Sequence, residues 1–278
     1  MAAGAPGLII TADDFGLHPS VNDAVLRAHQ GGVLSAASLM VGAPAARQAV
    51  EGARACPDLR VGLHLVLADG AAVLPARLLP DLVDADGRFG ARMVRDGVRF
   101  FFLPRVRRQL ALEIRAQFEA FAATGLALDH VNAHKHFHLH PTVLTLMLEI
   151  GREFGLRAVR LPLESGLPPW LRPWLLLLRA RLRAAGIAHN DYILGLQQSG
   201  RFDEDALLAA LHGLPAAGVG ELYLHPALDS GAAIAPSMAG YRHADEFAAL
   251  VSPRVGQARE RLRERGFRFG GFADLLAA

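Results

Sequence analysis

The chain reads as an α/β protein, a single-domain TIM-like (β/α) barrel that is deformed or built from seven to eight strands. Three observations predict this. Short apolar runs of β type alternate with helical segments from one end to the other. The 278 residues accommodate seven or eight such units. No strand is followed by GxGxxG or GxxxxGKS/T, so the doubly wound open sheet, the second choice, lacks its dinucleotide or P-loop signature.

The strand-like runs are Leu8–Thr11, Ser38–Val41, Val61–Leu67, Leu128–Asn132, Ala158–Leu161, Tyr192–Leu196, Glu221–Leu224 and Phe267–Phe269. Proline and glycine punctuate the helices between them. Pro19 with Ser20 opens one that stops at Gly31-Gly32, Pro44 opens the next, and Pro141 opens another that ends before Gly155. The stretch from Val106 to Ala123 carries an apolar face at helical spacing and closes at Gly125. With no linker, low-complexity tract or fixed-period repeat to divide it, the chain is expected to be one domain over residues 1–278.

A hydrophobic content of 52% and a mean hydropathy of +0.24 suffice for one large core. The charges nearly cancel, 29 Lys+Arg against 27 Asp+Glu, which gives no reason to expect nucleic acid as a partner. Cys56 is the single cysteine and has no internal partner for a disulfide, as in a reducing compartment. The N-terminus lacks a basic region and reads as a first strand, not a signal peptide. The apolar stretch Trp174 to Leu178 lies between Arg172 and Arg179 and is too short to span a bilayer. A cytoplasmic location is therefore expected.

In a parallel barrel the active site forms where strands end, so polar residues directly after apolar runs are the candidates. Four places qualify: Asp13-Asp14 after LIITA, His64 in VGLHLVL, the cluster in DHVNAHKHFHLHP, and His225 in ELYLHP. Adjacent acids after a strand can be a helix N-cap and its neighbour. Here Phe15-Gly16 separate them from the helix at Pro19, which places both in a strand-to-loop segment. Successive residues of extended chain point opposite ways, so a twist there can aim one carboxylate at a metal and the other at a neighbouring water. His64 interrupts an apolar run, either as a hydrogen-bonded core residue or as a ligand.

The cluster holds His130, His134, His136, His138 and His140. The last four alternate and would share one face of an extended segment. A metal has room for one or two of them, and the rest would contact substrate or fix ring orientation; the other reading is a histidine-rich surface loop. Two histidines and one carboxylate make a divalent site with open positions for water and substrate. That set suits zinc, cobalt or iron, whereas magnesium prefers more oxygens. His225, ahead of Pro226 at another strand end, can face Asp13 across the barrel mouth or serve the fold alone. Arg160 and Glu164 in VRLPLES either contact sugar hydroxyls, support the site or form a structural ion pair.

In that order, TADDFGLHPSVNDAV, VGLHLVL, DHVNAHKHFHLHP and ELYLHPAL resemble the YdjC-like carbohydrate deacetylases, over nearly the whole chain. TADDFG together with HxHxHxxP is the specific part. Within the family the chain is most similar to the hopanoid-biosynthesis-associated group. The resemblance implies a deformed TIM-like barrel and a metal-dependent hydrolase that removes the N-acetyl group from an N-acetylglucosaminyl conjugate, such as a glycosylated hopanoid lipid. It implies Asp13 as general base, one divalent metal (zinc, magnesium or similar) on Asp14, His64 and His134, and His225 as acid. Arg160, His136 and His138 become substrate-binding candidates. Many relatives carry Asp where this chain has Asn132, a change that removes an orienting carboxylate.

Two further segments bear on the substrate. Arg99-Phe100-Phe101-Phe102 with Arg105, Arg107 and Arg108, and Trp170 to Trp174 leading into Leu175–Leu178 with Arg179, Arg181 and Arg183, mix aromatics, leucines and arginines. They read either as a membrane-facing or greasy wall for a glycolipid, with peripheral contact at the inner membrane face, or as ordinary helices with apolar inner faces. A homodimer is compatible with either. The rival functions are a chitooligosaccharide deacetylase, a phosphodiesterase- or isomerase-type (β/α) barrel, an iron-dependent oxygenase and a metal-bearing sugar-binding protein. Barrels of the phosphodiesterase or isomerase type usually carry more carboxylate ligands, and oxygenases use an antiparallel scaffold.

Overall fold

In a computed structural model of the chain, residues 5–229 and 234–276 are described; residues 1–4, part of the N-terminal stretch read above, lie outside them. Seven strands are present among the described residues: β1 (Gly7–Phe15), β2 (Ala36–Leu39), β3 (Arg60–Leu65), β4 (Val131–Ala133), β5 (Tyr192–Leu194), β6 (Val219–Leu224) and β7 (Arg268–Phe269). All pair in parallel, in the order β4-β3-β2-β1-β6-β5, with β7 added at the start of β1. Helices follow the strands: α1 (Pro19–Gly31), α2 (Ala46–Arg54), α3 (Met93–Phe102), α4 (Pro104–Ala123), α5 (Pro141–Glu153), α6 (Leu171–Ala184), α7 (Glu204–His212), α8 (His243–Leu250), α9 (Pro253–Glu264) and α10 (Phe272–Leu276).

The sheet is a curled, deformed barrel-like wall. The run expected as a strand over Ala158–Leu161 forms only single bridges, Val131 with Val159 and Ala158 with Ala188, which carry the pairing from β4 towards β5. Pro162 has no N–H to extend that ladder. The expected helix starts at Pro19 and Pro141 hold, while the second helix begins at Ala46, two residues past Pro44.

Alternation along the strands splits the interior into two layers. Leu8, Ile10, Ala12, Leu39, Leu63, Leu65, Leu222 and Leu224 join the main core between sheet and helices. Ile9, Ala36, Ala158, Val219, Phe272 and Leu275 form a separate apolar plug, with α10 closing that end of the wall. Above the plug, on the same inward-facing positions, the residues turn polar: Thr11, Asp13, Ser38, His64, Asn132, Arg160 and Glu221 are all buried. Polar groups at that depth must find partners, and theirs is the network described below.

Between β3 and α3 the chain makes a long excursion over residues 66–91. Glu113 of α4 accepts the Val73 and Leu74 N–H groups at 2.8 and 3.0 Å, and Gln117 accepts the Val66 N–H at 2.9 Å. Glu113→Ala leaves two of these amides unpaired and is expected to lower stability by about 1–3 kcal/mol. Hydrogen exchange at Val73 and Leu74 should accelerate more than exchange in β1; equal protection in the variant would contradict this anchoring role.

Candidate metal centre and active site

The chemistry begins at an irregularity in β1. Ala12 pairs with Ala37 and Phe15 with Leu39, so Asp13 and Asp14 together face Ser38 across the ladder. Such a bulge adds one residue and re-aims side chains. Asp14 takes the left-handed conformation, φ 62°, which Asp tolerates better than most residues. The turn beyond it is tied by Asn22, whose side chain accepts the Gly16 N–H at 2.8 Å and donates to Ala45 O at 3.0 Å. The two acids therefore lie within β1 and not in a loop after it, and the bulge supplies the expected divergence of their carboxylates.

The histidine cluster departs from expectation. The strand ends at Ala133, and His134–Leu139 form a 3₁₀ turn in which Lys135 and His136 adopt φ of 56° and 55°. The alternating histidines consequently do not share one face. His134 Nδ1 approaches Asp14 Oδ1 at 3.1 Å, and His136 Nε2 lies 3.3 Å from the Tyr223 hydroxyl. His138 Nε2 donates to Arg160 O at 3.1 Å, and His140 accepts the Thr142 N–H as the N-cap of α5. His130 turns inward and is fully buried.

Asp14, His64 and His134 each offer one ligand atom, all within 4.8 Å of one another and all buried. His64 Nε2 is 3.3 Å from Asp14 Oδ1, while Asp14 Oδ2 is buried with no hydrogen-bond partner. Burial opposes ionisation of Asp14, yet His134 and His64 outweigh it and hold the carboxyl well below its usual range. Burial likewise lowers His64, but Asp13 and Asp14 raise it above the ordinary imidazole value. The carboxylates thus favour positive charge at this point. A divalent ion meets that demand and would use the unpartnered Asp14 oxygen, so the residues fit a metal; two nitrogens and a carboxylate suit zinc, cobalt or iron.

Asp13 faces the other way. Arg160 donates to both of its oxygens, at 2.5 and 2.9 Å, and also to Glu221 at 2.7 and 3.0 Å. Glu221 in turn accepts the Thr11 hydroxyl at 2.8 Å. The Arg160 guanidinium is completely buried, 4.7 Å from the Tyr223 ring centroid, and is turned to these acids, away from the open cavity. Burial resists ionisation of Asp13, but Arg160 and His64 hold its carboxyl far below the ordinary value.

A cavity of about 310 Å³ opens over the site, lined by Asp13, His64, His134, His136, Tyr223 and His225 among others. His225 follows β6, whose register sets Leu224 beside Ala12 and so brings His225 alongside Asp13. Burial pushes its imidazole down to about 4 in spite of the Asp14 and Asp13 carboxylates, so it is neutral at pH 7. Its backbone is held by Glu246, which accepts the His225 N–H at 2.6 Å and the Phe202 N–H at 3.1 Å. Burial pushes the Glu246 carboxyl up to about 7 against those bonds. His138 is buried, and burial with Arg160 nearby takes it down to about 3; it does not line the cavity, whereas His136 does. Glu164 accepts the Gly195 and Gln197 N–H groups, which bind a neighbouring loop.

Sequence reasoning did not single out Glu221, Ser38 or Tyr223. Glu221 had a signal, a charge inside an otherwise apolar strand, which is tolerated only when paired. Ser38 had none, because a serine in a strand is unremarkable until its neighbours are known.

The YdjC-like protein family model matches residues 7–261. A carbohydrate deacetylase from Brevibacillus brevis is 38% identical over 164 residues, 59% of this chain and 60% of that protein. A carbohydrate deacetylase from Vibrio cholerae serotype O1 is 37% identical over 149 residues, 53% of this chain and 56% of that protein. The chain thus spans 56–60% of the length of these curated relatives. Among solved structures, a candidate cellobiose-phosphate cleavage protein from Enterococcus faecalis V583 superposes with a TM-score of 0.78 at 26% identity, covering 98% of this chain and 100% of that one. With a family model matched over most of its length and the motif residues gathered at one end of the sheet, the chain belongs to the YdjC-like protein family.

Proposed function

We propose that the protein is a metal-dependent carbohydrate deacetylase, a hydrolase that releases acetate from an N-acetylated sugar. The observation that carries this reading is the convergence of Asp14, His64 and His134 around an unpartnered carboxylate oxygen, with Asp13 and His225 beside it on the same cavity. The deacetylase relatives support the same chemistry. A divalent ion held by those three residues would polarise the acetyl carbonyl and lower the pKa of a water towards neutrality.

The chain's own groups do the rest. Asp13 accepts a proton from the attacking water, and His225 delivers one to the departing sugar amine. At rest at pH 7 Arg160 keeps Asp13 ionised and burial keeps His225 a neutral imidazole, so the proton that Asp13 takes from water is the one that replaces the proton His225 gives to the amine. Arg160 also fixes Asp13 in place through two hydrogen bonds, which restricts its carboxylate to one orientation.

For the acceptor we favour an amphipathic conjugate, an N-acetylglucosaminyl lipid such as a glycosylated hopanoid. Met93 lines both the site cavity and an apolar cavity of about 370 Å³ bounded by Val94, Val98, Phe101, Phe102 and Phe137. Val94, Phe101 and Phe102 are 87%, 47% and 69% exposed, so α3 presents an uncovered apolar face to solvent. Exposed arginines flank it in sequence, Arg92, Arg95, Arg105, Arg107 and Arg108, of which Arg95 pairs with Asp96 and Arg105 with Asp81; a basic, apolar helix of this kind suits an anionic lipid surface. No helix among the described residues is long and apolar enough to cross a membrane, so any lipid contact of α3 is peripheral.

Acetate release from N-acetylglucosamine conjugates should vanish on chelation and return with zinc or cobalt; activity that survives exhaustive chelation overturns the metal dependence. Asp13→Asn should keep metal binding within a few-fold while the rate falls by about two to four orders of magnitude, and a turnover close to wild type would remove Asp13 from its role. In flotation assays the protein should partition to phosphatidylglycerol vesicles and not to phosphatidylcholine ones, and Phe101→Glu with Phe102→Glu should abolish this. If the wild type stays unbound to both, or light scattering shows a dimer covering α3, the lipid reading fails.

A further inference from the structure

The metal-facing histidine is not isolated at its other nitrogen. His64 Nδ1 lies 2.6 Å from Asn132 Oδ1, and Asn132 Nδ2 lies 2.9 Å from Ser38 Oγ and 3.2 Å from Asp13 Oδ1. Ser38 Oγ is 3.0 Å from His130 Nε2, and His130 Nδ1 is 2.9 Å from Asp129 Oδ2. Asp129 also accepts the Phe272 and Ala273 N–H groups at 3.0 and 2.9 Å, at the start of α10. Ser38, Asn132 and His130 are all fully buried, so water cannot substitute for a missing partner.

We propose that Asp129, His130, Ser38 and Asn132 form a one-way hydrogen-bond chain that fixes the tautomer of His64, holding its proton on Nδ1 and leaving the Nε2 lone pair for a metal bound beside Asp14. The inference rests on the metal reading given above. Its direction follows from donor and acceptor inventory. A carboxylate only accepts, so His130 Nδ1 donates to Asp129, and its Nε2 is left to accept. The Ser38 hydroxyl must then donate to His130, and its oxygen accepts from the Asn132 amide. The second amide hydrogen goes to Asp13, another pure acceptor. With both hydrogens committed, Asn132 turns its oxygen to His64, which must donate from Nδ1.

Two constraints at opposite ends therefore agree on the amide's orientation. Flipping it would set Oδ1 against the Asp13 carboxylate and Ser38. The His130 end is clamped sterically: its ring stacks on Phe272, centroids 4.5 Å apart at 23°, and a Cβ at Gly62 would fall 2.5 Å from it. The same bookkeeping explains the asparagine. An aspartate at 132 could accept from His64 but could not donate to Ser38, and its carboxylate would confront Asp13 at hydrogen-bond distance. Here an amide does what a carboxylate does elsewhere, orienting a metal-ligating histidine, while also bridging to the proposed base.

Zinc affinity, measured by competition with a chromogenic chelator, together with ¹⁵N-histidine NMR of the wild-type protein, Ser38→Ala, Asn132→Leu and the double variant, tests this. Asn132→Leu should weaken zinc binding about 10- to 100-fold, and the NMR signature of His64, protonated at Nδ1 in the wild type, should become a tautomer mixture. Ser38→Ala should cost several-fold, and the double variant should be no worse than Asn132→Leu, because Ser38 acts through Asn132. Unchanged zinc affinity in Asn132→Leu, or strictly additive losses, overturns the chain. If Asn132→Leu does not fold, Ser38→Ala alone decides by the same two readouts. Should the wild type bind no zinc, the metal reading fails separately, while the His64 signal still reports on the tautomer.

Discussion

The bulge that sets Asp13 and Asp14 against a single residue of β2 governs the site. A regular strand would send neighbouring side chains to opposite faces, one to the helices and one to the sheet interior. The extra residue keeps both carboxylates at the same end of the sheet yet pointing apart. One is claimed by Arg160, the other by His64 and His134. Two buried acids side by side would repel; here each faces its own cationic or imidazole partners, which is what makes their burial tolerable.

From that division follows the stratification of the interior. An apolar plug closes the end of the sheet nearest α10, a fully paired polar layer lies above it, and the cavity opens above that. The middle layer carries most of the electrostatic burden. Arg160 satisfies Asp13 and Glu221 at once, and Thr11 finishes Glu221. Because these groups are completely buried, their geometry is set by packing and does not depend on solvent, as preorganised catalytic groups require. Glu246 does for the His225 loop what Arg160 does for Asp13, holding the backbone from beneath through several amides.

The histidine cluster shows how composition can mislead. Five histidines in eleven residues suggest one or two metal ligands on a shared face, yet the face is broken and His134 alone of the five approaches Asp14. Two residues in the left-handed conformation rotate the chain so that its neighbours go to a tyrosine hydroxyl, a backbone carbonyl and a helix cap. His130, the one closest to looking structural, stands at the far end of the hydrogen-bond chain that reaches His64.

Local patterns in the amino-acid order determined a good deal: the parallel α/β class, the end of β6, the proline-marked starts of α1 and α5, and the four places, Asp13-Asp14, His64, the histidine cluster and His225, where polar residues interrupt or follow apolar runs. These are legible because hydrophobic periodicity and helix punctuation act over a few residues, and because a polar side chain in an apolar run is visible by itself. Other features were decided by tertiary structure alone: the bulge that separates the two acids, the turn that scatters the histidines, the burial of Arg160 beneath Asp13, and the assembly of Ser38, His130 and Asn132 into one relay. Each depends on which strands lie side by side, and the register between β2, β3 and β4 is a long-range property of packing that no local pattern encodes.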